Sequence, residues 1–141
     1  DFLVTTYLTD IAPHEVLTEI RIPVPEPCTG SAFREVAKRV GDFAIVNVAA
    51  LVSVGTNEEV SAVSLALGGV AETPVAIDVS RALLGRPLDA TRATEAARLV
   101  DEATDPQDDN VAGGAYKRHL AGVLVKQALT AAYADATAMG A

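Results

Sequence analysis

The chain has 141 residues, 50% hydrophobic and 21% charged, which is the usage of one globular domain and excludes a disordered chain; at this length roughly two thirds of the unfolded surface can be buried. Lys plus Arg number 11 against 19 Asp plus Glu, and the net charge of −8 leaves no excess of cations for nucleic acid or an anionic membrane. One cysteine excludes an intramolecular disulfide and a Cys-based metal cage, and fits a reducing, cytoplasmic setting.

The first residue is Asp1, and "DFLVTTYLTD" reads as a strand entering from something upstream, as in one half of a longer polypeptide. The opening lacks the basic and apolar regions of a signal peptide. The longest apolar stretch, Phe43 to Val54, holds Asn47 and Ser53 and is too short to span a bilayer. Val16 to Ile22 alternates Leu17 and Glu19 with Val16, Thr18, Ile20 and Ile22, which predicts an edge-like strand stopping at Pro23. Pro23, Pro25 and Pro27 then remove three backbone donors and force an extended loop. Phe33 to Arg39 alternates again, with Phe33, Ala37 and Arg39 against Arg34, Val36 and Lys38.

Gly41-Asp42 is a turn dipeptide before a β-branched run in which Val46, Val48, Val52 and Val54 share a face. "GTNEE" predicts a hairpin turn, with Gly55 and Asn57 supplying positive φ. Val63, Leu65 and Leu67 then alternate with Ala62, Ser64 and Ala66 up to Gly68-Gly69. From Ser80 the composition turns to Ala, Leu and Arg, and helices follow. Leu83-Leu84-Gly85 predicts a short helix with a glycine cap, and Asp89 or Thr91 caps the next, whose Ala93, Ala96, Ala97, Val100 and Ala103 recur at helical spacing. Asp105-Pro106 breaks it. Asp108 and Asp109 precede a last helix with Tyr116, Leu120, Val123, Leu124, Ala128 and Ala131 as its stripe and Lys117, Lys126 and Gln127 off it. Strands first and helices afterwards predict an α+β fold: an antiparallel sheet in the N-terminal half, packed on one face by about three C-terminal helices.

The common phosphate and hydrolase signatures are absent, and neither Gly68-Gly69 nor Gly113-Gly114 follows their spacing. His14 and His119, the only histidines, have no second ligand at metal spacing. Cys28, with no neighbouring Lys or His, reads as an inert small side chain. The acidic cluster Asp101, Glu102, Asp105, Asp108 and Asp109 lacks the alternation of a calcium loop and reads as solvated surface and helix capping. The basic segment Arg34, Lys38 and Arg39, with Asp42 at its end, supports two readings. One is an exposed strand protected by its charges, and the other a basic face that receives an anionic or electron-rich ligand.

Three blocks in order, "SAFREVAKRVGDFAIVNVAALVSV", "VSLALGGVAETPVAID…ALLGRPLD" and "DNVAGGAYKRHLAGVLVKQAL", resemble the C-terminal domain of the FAD-binding medium subunit of the molybdenum hydroxylases, the carbon monoxide dehydrogenase and xanthine dehydrogenase type enzymes. The resemblance covers Thr9 to Ala132, and "LTEIRIP" resembles the family's strand that leaves the preceding domain. It implies that residues 1–141 form a single domain without catalytic residues, inactive alone, that covers FAD and docks partner subunits. Most of the FAD is held by an N-terminal domain absent from this chain. The implied partners are a large subunit with the molybdenum cofactor and a small subunit with the iron–sulfur clusters that feed electrons to FAD. Phe33 to Asp42 becomes the piece nearest the flavin, with Arg34 at the position where some relatives place a Lys near the ring, and Lys38, Arg39 and Asp42 at the family's basic and acidic positions. A cation there would stabilise the reduced flavin electrostatically. Gly113 stands where many relatives have Ser, which leaves Asp109 or Asn110 to start the helix. The competing reading is a non-catalytic α+β interaction module without its own cofactor. In either case an isolated domain with uncovered partner surfaces can self-associate.

Overall fold

The β-branched run at the middle of the first half becomes the central strand of the protein. In the computed structural model, which describes residues 2–140, strands β1 (Leu3–Thr5) and β2 (Leu8–Thr9) form a small hairpin. Strands β3 (Thr29–Ala37), β4 (Ala44–Val54), β5 (Val60–Gly68) and β6 (Val75–Ala76) form an antiparallel sheet in that order. Helices α1 (Ser80–Leu83), α2 (Ala90–Ala103) and α3 (Gly114–Gly140) follow. Val46, Val48, Ala50, Val52 and Val54 are buried on one face of β4, as the period of two requires, and Leu65 and Leu67 of β5 join them in the core on the same face. The opposite face, with Ala49, Leu51, Ser64 and Ala66, carries no second layer of the described chain. The α+β arrangement expected from the sequence is the one observed.

Local chemistry sets the boundaries. Asp89 caps α2 by accepting from the backbone N–H of Arg92 at 2.8 Å, and Gly85 takes φ +75° just after α1. The β4–β5 turn carries its positive φ at Asn57 and Glu58, while Gly55 is extended. Tyr133 of α3 holds that turn by donating its hydroxyl to the Glu58 carbonyl at 2.9 Å. β3 starts four residues earlier than Phe33 because Gly30 lets α3 lie directly on the strand. A Cβ at Gly30 would fall on the Ala132 carbonyl and the Ala136 amide.

Several expectations are corrected. The opening decapeptide is a hairpin turning at Tyr7, whose φ is +63°, and Thr5 and Thr6 tie it to Glu72; Asp1 lies outside the described residues. Val16–Ile22 forms no strand and pairs with none among the described residues. On α3 the buried positions are Lys117, Leu120, Ala121, Leu124, Val125, Ala128, Leu129, Ala132 and Ala136, so the stripe is rotated from the expected one and leaves Tyr116 half exposed. An alanine-rich helix has apolar residues all round, and only contact with the sheet selects the inner face.

The start of α3 is set by Asp108, which accepts from the Gly114 N–H at 2.6 Å, rather than by Asp109 or Asn110. Asp109 instead closes the preceding turn, accepting from the Val111 and Ala112 amides at 2.8 Å, and pairs with the buried Lys117 ammonium at 2.7 Å. Lys117 also donates to the Gln107 carbonyl at 2.9 Å. The bond from Lys117, then those from the two amides, pull the Asp109 carboxyl from 3.8 to about 2. A depressed folded pKa contributes stability that is full above the unfolded value and lost as pH falls through the folded one. Thermal unfolding followed across pH is therefore expected to show a loss between 3.8 and about 2 that Asp109→Asn removes, the variant being the less stable protein at neutral pH.

Candidate functional site

The four residues singled out from the sequence all lie on the β3–β4 hairpin, in two groups. Arg34 stands opposite Val48 and so on the helix side of the sheet, but β3 is an edge strand and the guanidinium remains exposed. Its Nη1 donates to the Phe33 carbonyl at 2.8 Å. Phe33, opposite Ala49, points to the uncovered face and is half exposed.

Lys38 and Arg39 are not on the strand, contrary to the expected alternation through Arg39. The register slips between Val36, opposite Val46, and Ala37, opposite Ala44, and the strand ends there. Lys38, Arg39, Val40, Gly41, Asp42 and Phe43 form the tip. Gly41 sits at φ +87°, a left-handed conformation that glycine adopts without strain, and the Asp42 N–H donates to the Arg39 carbonyl at 3.2 Å. Lys38, Arg39 and Asp42 are exposed, and among the described residues neither they nor Arg34 form an ion pair.

The tip also presents Val40 and Phe43, both with essentially their whole side chains in solvent. Sequence reasoning placed Phe43 in the following strand and gave Val40 no role. The available signal was their position on either side of a Gly-Asp turn, where no alternation carries a side chain to the core.

Chemically, the hairpin carries three exposed cations, Arg34, Lys38 and Arg39, interleaved with the exposed carboxylates of Glu35 and Asp42, beneath an apolar crest. It holds no nucleophile paired with a base. It can attract and stabilise negative charge on a planar group laid against it, and Phe33, Val40 and Phe43 can keep water from that group. It does not enclose a ligand. A groove of ≈ 480 Å³ lined by Cys28, Glu58 and Gly140 lies at the other end of the hairpin, and a shallow one of ≈ 440 Å³ lies over Ala49, Leu51 and Ala66 on the uncovered sheet face. Among the described residues no group of three His, Cys, Asp or Glu side chains could hold a metal ion, and no helix is long and apolar enough to cross a membrane.

Residues 31–132, which include Arg34, Lys38, Arg39, Asp42 and the tip of the hairpin, match the profile of the CO dehydrogenase flavoprotein C-terminal domain. The carbon monoxide dehydrogenase medium chain of Afipia carboxidovorans is 34% identical over 96% of this chain and 47% of its own length. Reconstituted CO dehydrogenase from Oligotropha carboxidovorans contains a chain that superposes with a TM-score of 0.88 at 31% identity, over 96% of this chain and 47% of that one. Quinoline 2-oxidoreductase from Pseudomonas putida 86 superposes with a TM-score of 0.84 at 32% identity, over 96% and 47%. The chain spans about half the length of the curated relatives it matches.

Proposed function

The chain belongs to the CO dehydrogenase flavoprotein C-terminal domain family, and from that membership we propose that it works as the C-terminal domain of the flavin subunit of a molybdenum hydroxylase-type oxidoreductase, covering FAD on one side. The whole chain acts as one domain, and most of the FAD is held by an N-terminal domain that these residues do not supply. A large subunit with the molybdenum cofactor and a small subunit with iron–sulfur clusters are its partners, in the cytoplasm, and the isolated chain is inactive.

One observation carries this reading: within the family-matched segment, three exposed cations without ionic partners gather on one hairpin of a protein whose net charge is −8. The residues fit a flavin that is held elsewhere and covered here, because the rim is open and nothing on it cradles a pyrophosphate. The flavin, when bound, supplies an acceptor for two electrons. Arg34 sets positive potential beside it, its guanidinium steadied by the Phe33 carbonyl. Lys38 and Arg39 extend that potential along the turn, Asp42 adds an acceptor next to them, and the apolar tip residues exclude water.

The flavin-loaded subunit carrying Arg34→Ala tests this. Loss of the cation disfavours added electrons, so the potential is expected to fall by about 30 mV, the two-electron equivalent of about 1.4 kcal/mol. Arg34→Lys should restore most of it. A potential unmoved by either substitution removes Arg34 from the site.

A further inference from the structure

Four of the chain's 11 basic residues fall between Arg81 and Arg98, and all four are arginines: Arg81, Arg86, Arg92 and Arg98. Arg81 belongs to α1, Arg86 to the loop that follows, and Arg92 and Arg98 to α2. The first three line a groove of ≈ 390 Å³ formed by α1, that loop and the start of α2, together with Thr91, Glu95 and the partly exposed Leu84. Backbone bonds fix its frame. Val60 donates its N–H to the Arg86 carbonyl at 3.1 Å, and Gly85 donates to the Val60 carbonyl at 2.9 Å, so the loop is pinned to the start of β5. The Arg92 guanidinium is steadied in turn, its Nη1 donating to the Pro87 carbonyl at 3.2 Å.

The nearby carboxylates do not neutralise these cations. Both oxygens of Glu95 are engaged by Arg98, at 2.6 and 3.0 Å, and Arg98 also meets Glu102. Arg81 reaches that same Glu102 at 3.4 Å, a long and shared contact. The Glu95 carboxyl is held below its usual range, first by the Arg98 bond and further by the fields of Arg98 and Arg81. Among the described residues Arg86 and Arg92 form no ion pair. Two free guanidinium forks and a third loosely held one therefore share one groove, on a protein whose net charge is −8.

We propose that this groove binds the phosphoryl group of a small ligand, inorganic phosphate or a phosphate monoester, held by the guanidiniums of Arg86 and Arg92 with Arg81 and the Thr91 hydroxyl as further donors. A carboxylate carries one charge and is filled by a single guanidinium fork, whereas a phosphoryl group brings about −1.5 to −2 charge and three acceptor oxygens. The net charge repels a long polyanion, which restricts the ligand to a small one. Leu84 offers an apolar wall to the substituent of an ester. The groove lies toward the β4–β5 end of the sheet, and β4 runs roughly 30 Å from there to the tip that carries Lys38 and Arg39, at ~3.3 Å per residue. This inference does not depend on the flavin.

Titration of the full chain, without flavin, with inorganic phosphate at constant ionic strength tests it through the NMR signals of arginine Nε–H and backbone amides. The shifts at Arg86, Thr91 and Arg92 are expected to saturate with a Kd of about 1 mM or tighter. Arg86→Gln and Arg92→Gln should each weaken binding about tenfold or more, because each removes a bond between charged groups. Both side chains lie outside the buried core, and the bonds that pin the loop and cap α2 do not involve their guanidiniums, so the variants fold. Lys126→Gln, an equal loss of charge at an exposed position of α3, should leave the affinity unchanged. Phenyl phosphate separates the two sources. Tighter binding than phosphate, with added shifts at the Leu84 methyls, assigns the groove to a monoester, and equal binding assigns it to the free ion. Shifts that grow without saturating, or that both arginine variants leave as they were, overturn the proposal. So does acetate binding as tightly as phosphate, which would make the groove a seat for a partner protein's carboxylate side chain.

Discussion

Gly30→Val is expected to destabilise the protein by about 3 kcal/mol or more, a large part of the ~5–15 kcal/mol that holds a domain together. The reason lies in how closely α3 crosses β3. The missing side chain at Gly30 is occupied by helix backbone, the Ala132 carbonyl and the Ala136 amide, and neither can swing aside like the end of a flexible side chain. Withdrawing the helix would also break the bond from the Ser31 N–H to the Asp135 carboxylate at 3.0 Å, which covers part of the free edge of β3. Urea denaturation should show a lower midpoint with an unchanged slope. Gly122→Ala is the control, on the same helix but with open space around its Cβ position; it should be neutral or stabilising by up to ~1 kcal/mol, since alanine is the better helix former. If Gly30→Val leaves the midpoint where it was, the contact between α3 and β3 is looser than described.

Leu129→Ala should cost about 3 kcal/mol, seen as a fall in Tm of roughly 10 °C. Leu129 is fully buried on the inner face of α3, in the cluster that includes Val52 of β4 and Val125 and Ala132 of the same helix. Helix and sheet are both regular at this point, so the cavity left by truncation is not easily refilled. The comparison is Thr130→Ala, one residue on and exposed, which should change stability by less than about 0.5 kcal/mol. The pair also tests the corrected face of the helix. The stripe expected from the sequence contains Ala131 and Val123, both only partly buried, and omits Leu129.

Most of the sheet was legible because a strand with one wet face writes its orientation as a period of two. Val46, Val48, Val52 and Val54 stand on the inner face as that period predicts, and Asp89 and Gly85 mark helix ends through local hydrogen bonding and φ alone. The candidate site was legible as a list of charges, Arg34, Lys38, Arg39 and Asp42, but not as a shape. A one-residue slip at Ala37 moved two of the four from a strand to a turn, and slips of that kind arise from pairing with β4 rather than from any residue in β3. Lys117 illustrates the same limit. Its position on an alanine-rich helix gave no sign of burial; the Asp109 carboxylate and the Gln107 carbonyl, brought back by the preceding loop, allow the charge to be there.

The sequence by itself determined the class of fold, the acidic surface with its single basic hairpin and, through three ordered blocks, the family. These are properties of composition, period and motif order, all carried by neighbours along the chain. Tertiary structure alone decided which face of α3 is buried, where β3 begins and ends, and that Val40 and Phe43 are bare at the tip. It also left Val16–Ile22, alternating like a strand in the sequence, outside any sheet among the described residues. Each of these depends on what lies across a gap from the residue, a helix backbone against Gly30 or no backbone partner among the described residues beside Ile20, and a contact between segments far apart in sequence has no local period to announce it.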